Sequence, residues 1–280
     1  MVRRSVLISP GDQPDKLRKA ATSGADAVVF DLEDGVAPDR KDVAREVVRD
    51  AIADFDADCE LCVRVNPIGA GATHDLDAVL EDAAPDSVML PKTSGPSEVR
   101  MLFRKLRNRN APLPVIALVE SAEGVLGATD IATAAPTSAL VFGAEDLAGN
   151  IGATRSAEGS ELAYARQHVV LAGRAAGVDL IDTHYTKYED EAGLRDDARR
   201  GCHLGYDGKL AIHPAQIDAI HDAFRPDPER VEWARTIMTA KRDADAEDRG
   251  VFVVEGEMID APQIHQAERI LERAGEGKRR

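Results

Sequence analysis

Along this chain, acidic, basic and amide side chains recur directly after short apolar runs. The run ALVF at 139–142 is followed by Gly143 and then by two adjacent carboxylates, Glu145 and Asp146. IALV at 116–119 runs into Glu120 and Ser121, and AVVF at 27–30 into Asp31, Glu33 and Asp34. Other runs end in Arg64 and Asn66, in Lys92, in Asp182 and His184, and in His213. An unpaired carboxylate is costly to bury, so acids gathered at buried strand ends call for a cation. Carboxylates outnumber bases here, and oxygen-rich ligation suits Mg²⁺ or Mn²⁺. No HExxH or paired Cys/His spacing points to zinc. Each acid also has a plainer reading as the cap of a following helix. Arg64 has one as an ion-pair partner, and His213 as a loop-orienting group. Asp182 and His184 read as structural. Glu120 and Asp146, each closing a strongly apolar run, are the leading metal candidates.

Side chains from so many segments can meet only if the segments end at one place. The β-rich runs are RSVLISP (4–10), AVVFDLED (27–34), ELCVRVNP (60–67), SVMLPK (87–92), PVIALVES (114–121), ALVFGAED (139–146), VDLIDTHY (178–185) and GKLAIHP (208–214). Stretches of helical periodicity lie between them, such as 39–55, 96–110 and 157–178. Strands alternating with helices imply parallel βαβ units. Eight such units in this length predict an α/β fold of the (β/α)₈ TIM-barrel type, whose active site lies at the C-terminal strand ends. The rival is a doubly wound open sheet, but no GxGxxG follows the first strand. The Gly-rich GAGATHD (69–75) reads as a plain turn. The rhythm changes near Pro226. A helix over 226–249, a strand or hairpin around Gly256 and a helix over 261–276 are expected, ending in a frayed GKRR. This divides the chain into a catalytic barrel, 1–225, and a C-terminal lid or oligomerisation segment, 226–280, docking on the barrel mouth or on a neighbouring subunit.

Composition narrows the possible partners. The net charge is −15, with 50 acidic and 35 basic residues, which argues against nucleic acid. Abundant acids and few lysines suggest solubility in high salt, as in a halophilic organism. No apolar run is long enough to span a membrane. The polar start MVRRSVLISPGDQPD does not read as a signal peptide, and a cytoplasmic protein is expected. Cys59 and Cys62 have CxxC spacing, but three positions along a strand put two sulfurs on opposite faces. Ordinary packing is expected there.

The stretches RSVLISPGDQPDKLRKA, ADAVVFDLEDGV, RVNP, LPK, ALVESAEG, FGAEDLAGNIG, DGKLAIHPAQI and GEMIDAP occur in this order. Together they resemble the citrate lyase β-subunit-like family, also called the HpcH/HpaI aldolase and malyl-CoA lyase superfamily. The resemblance implies a Mg²⁺-dependent (β/α)₈ barrel acting on carbon–carbon bonds. It implies Glu120 and Asp146 as direct metal ligands, with Glu33 and Asp34 holding metal-bound waters. Arg64 would face a thioester oxygen. Backbone N–H groups around Glu145, Asp146 and Leu147 would receive the carboxylate of a 2-oxo acid. Lys16 and Lys209 would meet coenzyme A phosphates. Asp260 of the MID-type motif would reach over the active site of a neighbouring subunit, in a homotrimer or hexamer.

The lid motif favours an acyl-CoA lyase. The expected reaction cleaves or forms malyl-CoA, β-methylmalyl-CoA or citramalyl-CoA, giving glyoxylate or pyruvate plus acetyl-CoA or propionyl-CoA. Alternatives are a malyl-CoA thioesterase on the same scaffold, a citrate lyase β-subunit (citryl lyase) working with an acyl carrier protein, and a non-catalytic ligand-binding barrel.

Overall fold

The structure is a computed structural model, described here for residues 3–246, 251–254 and 256–276. The chain forms two compact units that part between Ala223 and Phe224.

In the first unit, β1 (Ser5–Pro10), β2 (Ala27–Asp31), β3 (Glu60–Arg64), β4 (Ser87–Leu90), β5 (Val115–Val119), β6 (Thr137–Phe142), β7 (Asp179–Asp182) and β8 (Gly208–Ala211) follow one another around a closed barrel. Every neighbouring pair is parallel, and β8 closes on β1. This is the (β/α)₈ arrangement; the open sheet is excluded by closure. Helices α1 (Pro14–Ala21), α2 (Lys41–Asp54), α3 (Ala72–Val79) and α4 (Pro96–Arg107) follow the first four strands. The pair α5 (Ala122–Leu126) and α6 (Ala128–Thr133) follows β5. The short α7 (Ala144–Asn150) and α8 (Ala163–Ala176) follow β6, α9 (Glu191–Leu204) follows β7, and α10 (Ile217–Phe224) follows β8.

Residues two apart on a strand share a face, and that parity decides what enters the barrel. Val6, Ala27, Val29, Cys62, Met89, Ile116, Leu118, Ala139, Val141, Ile181 and Leu210 fill one buried cluster. Continuing the same parity toward the C-terminal ends gives Asp31, Arg64 and Glu120. At the opposite end Glu60 is bound by Arg3 (2.6 and 2.9 Å) and Ser87 (2.6 Å). Cys62 packs inside the barrel, where burial pushes its thiol up to about 12, whereas Cys59 donates to the Ala21 carbonyl. The CxxC spacing therefore makes no shared site.

The GAGATHD segment turns through Gly69 and Gly71, both at positive φ, into α3. It is more than a turn, because buried Asp75 accepts from the Asn66 backbone N–H (2.6 Å), Asn66 Nδ2 (2.9 Å) and Arg45 Nε (2.8 Å). Lys41 adds a second brace. Its Nζ donates to the Leu32 carbonyl (2.7 Å), the Glu33 carbonyl (2.6 Å) and Asn66 Oδ1 (3.0 Å), tying the loops after β2 and β3.

The second unit contains α11 (Pro228–Ala246), an antiparallel hairpin of β9 (Phe252–Val254) and β10 (Glu257–Ile259), and α12 (Ala261–Arg273). Ala234, Ile237, Phe252, Ile259 and Ala267 form its core. Gly256, at φ 87°, lies in the turn between the strands. The terminal GKRR, expected to fray, lies outside the described residues. No described helix is long and apolar enough to cross a membrane.

Candidate active site

Asp31 and Arg64 are register partners on β2 and β3 and share inward parity. They form a two-pronged pair, Nε to Oδ1 at 2.7 Å and Nη2 to Oδ2 at 2.6 Å. The third nitrogen, Nη1, lies 3.4 Å from Glu33 Oε2. Burial alone would lower the pKa of Arg64; the bonds and charge of Asp31 outweigh it and hold the guanidinium above its ordinary value. Two neighbouring strands thus deliver one fixed cation to the mouth. Arg64 is thus an ion-pair partner, as in the plainer reading, with all three of its nitrogens beside carboxylates of Asp31 and Glu33.

Lys92 follows β4 in a left-handed backbone conformation, φ 51°. Its N–H donates to Glu120 Oε1 at 2.7 Å. Its Nζ reaches Glu33 Oε1 at 2.6 Å and Asp34 Oδ2 at 3.0 Å. One residue therefore braces three of the expected acids. The LPK stretch put Lys92 at the mouth, but nothing local in it revealed this bridging.

Glu120 is 4% exposed. Burial pushes its carboxyl up to about 8; Asp146 and Glu33 add to the rise, while the Lys92 N–H and Arg64 oppose it. Gly143 faces it closely: a Cβ there would stand 2.6 Å from Glu120 Cβ and 2.8 Å from Oε2. Asp146 sits in the first turn of α7, exposed. The helix N-cap is Gly143, with no side-chain bond, so neither Glu145 nor Asp146 is used as the cap. Glu145 instead pairs with Arg155 at 3.1 Å.

The amides after Gly143 divide. Leu147 N–H already donates to the Gly143 carbonyl at 3.2 Å, so it is not open to a substrate carboxylate. This corrects the expectation for Leu147: its amide is the first in α7 with a carbonyl four residues back within reach. The amides of Glu145 and Asp146 precede that point.

Lys209 also departs from expectation. Leu210 faces the barrel interior, so Lys209 faces outward into the helix layer, fully buried. Its Nζ binds Asp182 Oδ2 (3.0 Å) and Asp197 Oδ2 (2.5 Å), and Asp182 also pairs with Arg166. A lysine committed to two buried carboxylates does not reach coenzyme A phosphates. Asp182 is structural, as expected. Lys16 lies exposed on α1, just beyond the end of β1. His213 caps the turn after β8 by accepting from Ala215 N–H at 3.2 Å. Asp260 stands exposed at the N-cap of α12, its N–H on Gln263 Oε1 at 3.2 Å.

Among the described residues no three His, Cys, Asp or Glu side chains group closely enough to hold a metal unaided. The charge of Asp146 helps raise the Glu120 carboxyl, so the two acids are electrostatically coupled. Asp146 has no hydrogen bond or ion pair among the described residues, and Glu120 has only the Lys92 N–H. Such a pair fits a hydrated Mg²⁺, which keeps several waters and takes one or two carboxylates. Glu33 and Asp34, clamped by Lys92, are the acids expected to accept from such waters.

Comparison with known proteins agrees with this architecture. Residues 4–214 match the HpcH/HpaI aldolase/citrate lyase family. The chain is 37% identical over 287 residues to the mitochondrial citramalyl-CoA lyase of Mus musculus, covering 96% of this chain and 85% of that protein. It is 39% identical over 276 residues to a citrate lyase subunit beta-like protein of Mycobacterium tuberculosis, covering 96% and 95%. The crystal structure of CitE from M. tuberculosis in complex with magnesium, acetoacetate and coenzyme A superposes with a TM-score of 0.81 at 38% identity, covering 98% of each chain. On this breadth of match and the closed eight-stranded barrel, the chain belongs to the HpcH/HpaI aldolase/citrate lyase family.

Proposed function

We propose that the protein is a Mg²⁺-dependent carbon–carbon lyase that cleaves or forms a 3-hydroxyacyl-CoA such as malyl-CoA, β-methylmalyl-CoA or citramalyl-CoA. The products are glyoxylate or pyruvate and acetyl-CoA or propionyl-CoA. The observation that carries this reading is the electrostatic coupling of Glu120 and Asp146, which follow consecutive barrel strands, with a guanidinium oriented by Asp31 acting on the same Glu120. The related proteins named for citramalyl-CoA lyase activity, and the CitE structure holding magnesium and coenzyme A, support the same class.

Glu120 and Asp146 hold the ion, and Glu33 and Asp34 accept hydrogen bonds from its waters. When bound, Mg²⁺ supplies Lewis-acid polarisation of the 2-oxo acid carbonyl. The amides of Glu145 and Asp146 receive that acid's carboxylate. In the cleavage direction the 3-hydroxyl gives its proton to solvent as its oxygen becomes the carbonyl of the 2-oxo acid, the carbon–carbon bond breaks, and that bond's electron pair moves into the acyl-CoA fragment as an enolate. Arg64, held by Asp31, stabilises charge on the thioester oxygen. Asp260, from a neighbouring subunit, delivers the proton to the acyl α-carbon and removes it in condensation. Lys16 meets the coenzyme A phosphates. The protein works as a homo-oligomer, a trimer or hexamer, because this lid residue is supplied in trans.

The test is incubation with Mg²⁺ and a panel of malyl-, methylmalyl- and citramalyl-CoA, with released 2-oxo acid and thiol measured separately. Equal thiol release with no 2-oxo acid indicates the malyl-CoA thioesterase. Activity that requires an acyl carrier protein indicates the citrate lyase β-subunit. Undiminished turnover in EDTA rejects the metal.

A further inference from the structure

The cations that hold the acids of the barrel mouth do so through carboxylates: Arg64 pairs with Asp31, Lys92 with Glu33 and Asp34, and Arg155 with Glu145. Lys41 behaves differently. It opens α2, half-buried, and its ammonium donates to the Leu32 carbonyl (2.7 Å), the Glu33 carbonyl (2.6 Å) and Asn66 Oδ1 (3.0 Å). An ammonium has three donors and no acceptor. All three are spent here, and none on a carboxylate.

What Lys41 grips is the backbone of DLEDG, residues 31–35. The N–H groups of that loop are taken from another side. Glu33 N–H donates to Asp31 Oδ1 and Gly35 N–H to Asp31 Oδ2, each at 2.8 Å. Asp31 fits this closely because residue 35 has no Cβ; one there would stand 2.3 Å from Oδ2. The loop carbonyls go to Lys41 and to Asn66, whose Nδ2 donates to the Leu32 carbonyl at 2.8 Å. Val36 N–H also donates to the Glu33 carbonyl, at 3.1 Å. Glu33 is thus the residue held on both sides, its N–H by Asp31 and its carbonyl by Lys41. Its carboxylate, in a residue only 2% exposed, leaves this fixed backbone to meet Lys92 at 2.6 Å and Arg64 at 3.4 Å.

The support behind Lys41 is fixed as well. Asn66 gives its backbone N–H and its Nδ2 to buried Asp75. With Nδ2 committed to Asp75 and Leu32, the amide must present Oδ1 to Lys41. A charged donor makes a stronger hydrogen bond than a neutral one, so the ammonium suits a place where two consecutive carbonyls have to be held at once.

We propose that Lys41 is a positioning residue that fixes the Glu33 carboxylate for the metal-bound waters by holding the Glu33 backbone, without itself touching substrate or ion. The proposal deepens the function above and rests on Glu33 accepting from waters of Mg²⁺.

The test is a double-mutant cycle on the full-length protein with Lys41→Met and Glu33→Gln. It is read as kcat on the acyl-CoA that the wild type cleaves and, independently, as Mg²⁺ affinity by calorimetry. Lys41→Met alone is expected to lower both by about 10–100-fold, as loss of an outer partner that orients a metal site does. In the Glu33→Gln background the same substitution is expected to cost less than about twofold, because the group it positions is already disabled. Losses that multiply across the two variants assign Lys41 to general stability and overturn the proposal. Wild-type kcat and affinity in either single variant also overturn it. Should Lys41→Met not fold, Lys41→Gln, which keeps a neutral donor, goes through the same cycle with the same two outcomes. A wild type that binds Mg²⁺ yet releases no 2-oxo acid overturns the lyase reading alone, and the cycle is then read on Mg²⁺ affinity. A wild type that does not bind Mg²⁺ overturns both.

Discussion

Lys92 donates its backbone N–H to Glu120 at 2.7 Å while its ammonium bridges Glu33 and Asp34 at 2.6 and 3.0 Å. Burial alone would lower the pKa of this lysine; Glu33 and Asp34 overcome that and hold it above its ordinary value. Lys92→Met keeps the amide and removes the shared counter-charge, leaving Glu33 and Asp34 to repel. Loss of a group that orients metal-site acids typically costs about 10–100-fold in activity, and that loss in kcat/KM is expected here. Wild-type kinetics in the variant would remove Lys92 from the site.

With Glu120 as the proposed metal ligand, Mg²⁺ binding is expected to depend on pH. Its carboxyl is raised from 4.5 to about 8, chiefly by burial. A raised acid favours the folded protein in its protonated form, so without metal this contribution is full below 4.5 and is lost as pH climbs through about 8. Mg²⁺ takes the carboxylate. Binding at pH 7 should therefore release a proton, and apparent affinity should rise with pH up to about 8. Calorimetry in two buffers of different ionisation enthalpy checks this; identical heats would contradict it.

Arg64→Lys replaces a planar fork with a point charge that cannot hold both Asp31 oxygens and a substrate oxygen together. A fall in kcat of about 10²–10³ is expected, as for loss of one preorganised oxyanion donor. The measurement is steady-state turnover on malyl-CoA, with metal affinity as the control that should hold.

Gly143→Ala tests the packing against Glu120, the proposed metal ligand. The added Cβ would fall 2.6 Å from Glu120 Cβ, so Glu120 must move. Overpacking of this kind costs about 1–3 kcal/mol. The expected result is a folded protein of lowered Tm with weakened Mg²⁺ binding. An unchanged metal affinity would show that Glu120 need not stay where the backbone of Gly143 now lets it lie.

Lys209→Met separates the buried lysine from coenzyme A. It leaves Asp182 and Asp197 sharing Arg166 alone, and breaking a buried pair typically costs about 3–5 kcal/mol. Urea denaturation should show a loss of that size, while coenzyme A affinity of the folded fraction stays at the wild-type level.

The local pattern of the chain was enough to announce eight strands, their helices and the acids that close them. Alternation of apolar and polar residues and the turn residues between runs are properties of short windows, and Glu120 and Asp146 carry their signal in the five residues before them. Other assignments depended on which way a strand faces. Lys209 and Leu210 are neighbours, and GKLAIHP alone does not say which points into the barrel; pairing of β8 with β1 and β7 does. Leu147 looked like an open amide until the start of α7 was known. Arg64 and Asp31 are 33 residues apart, and Lys92 and Glu33 are 59 apart. Their contacts exist because barrel closure sets the register of distant strands, and register is a relation between segments that no single segment contains.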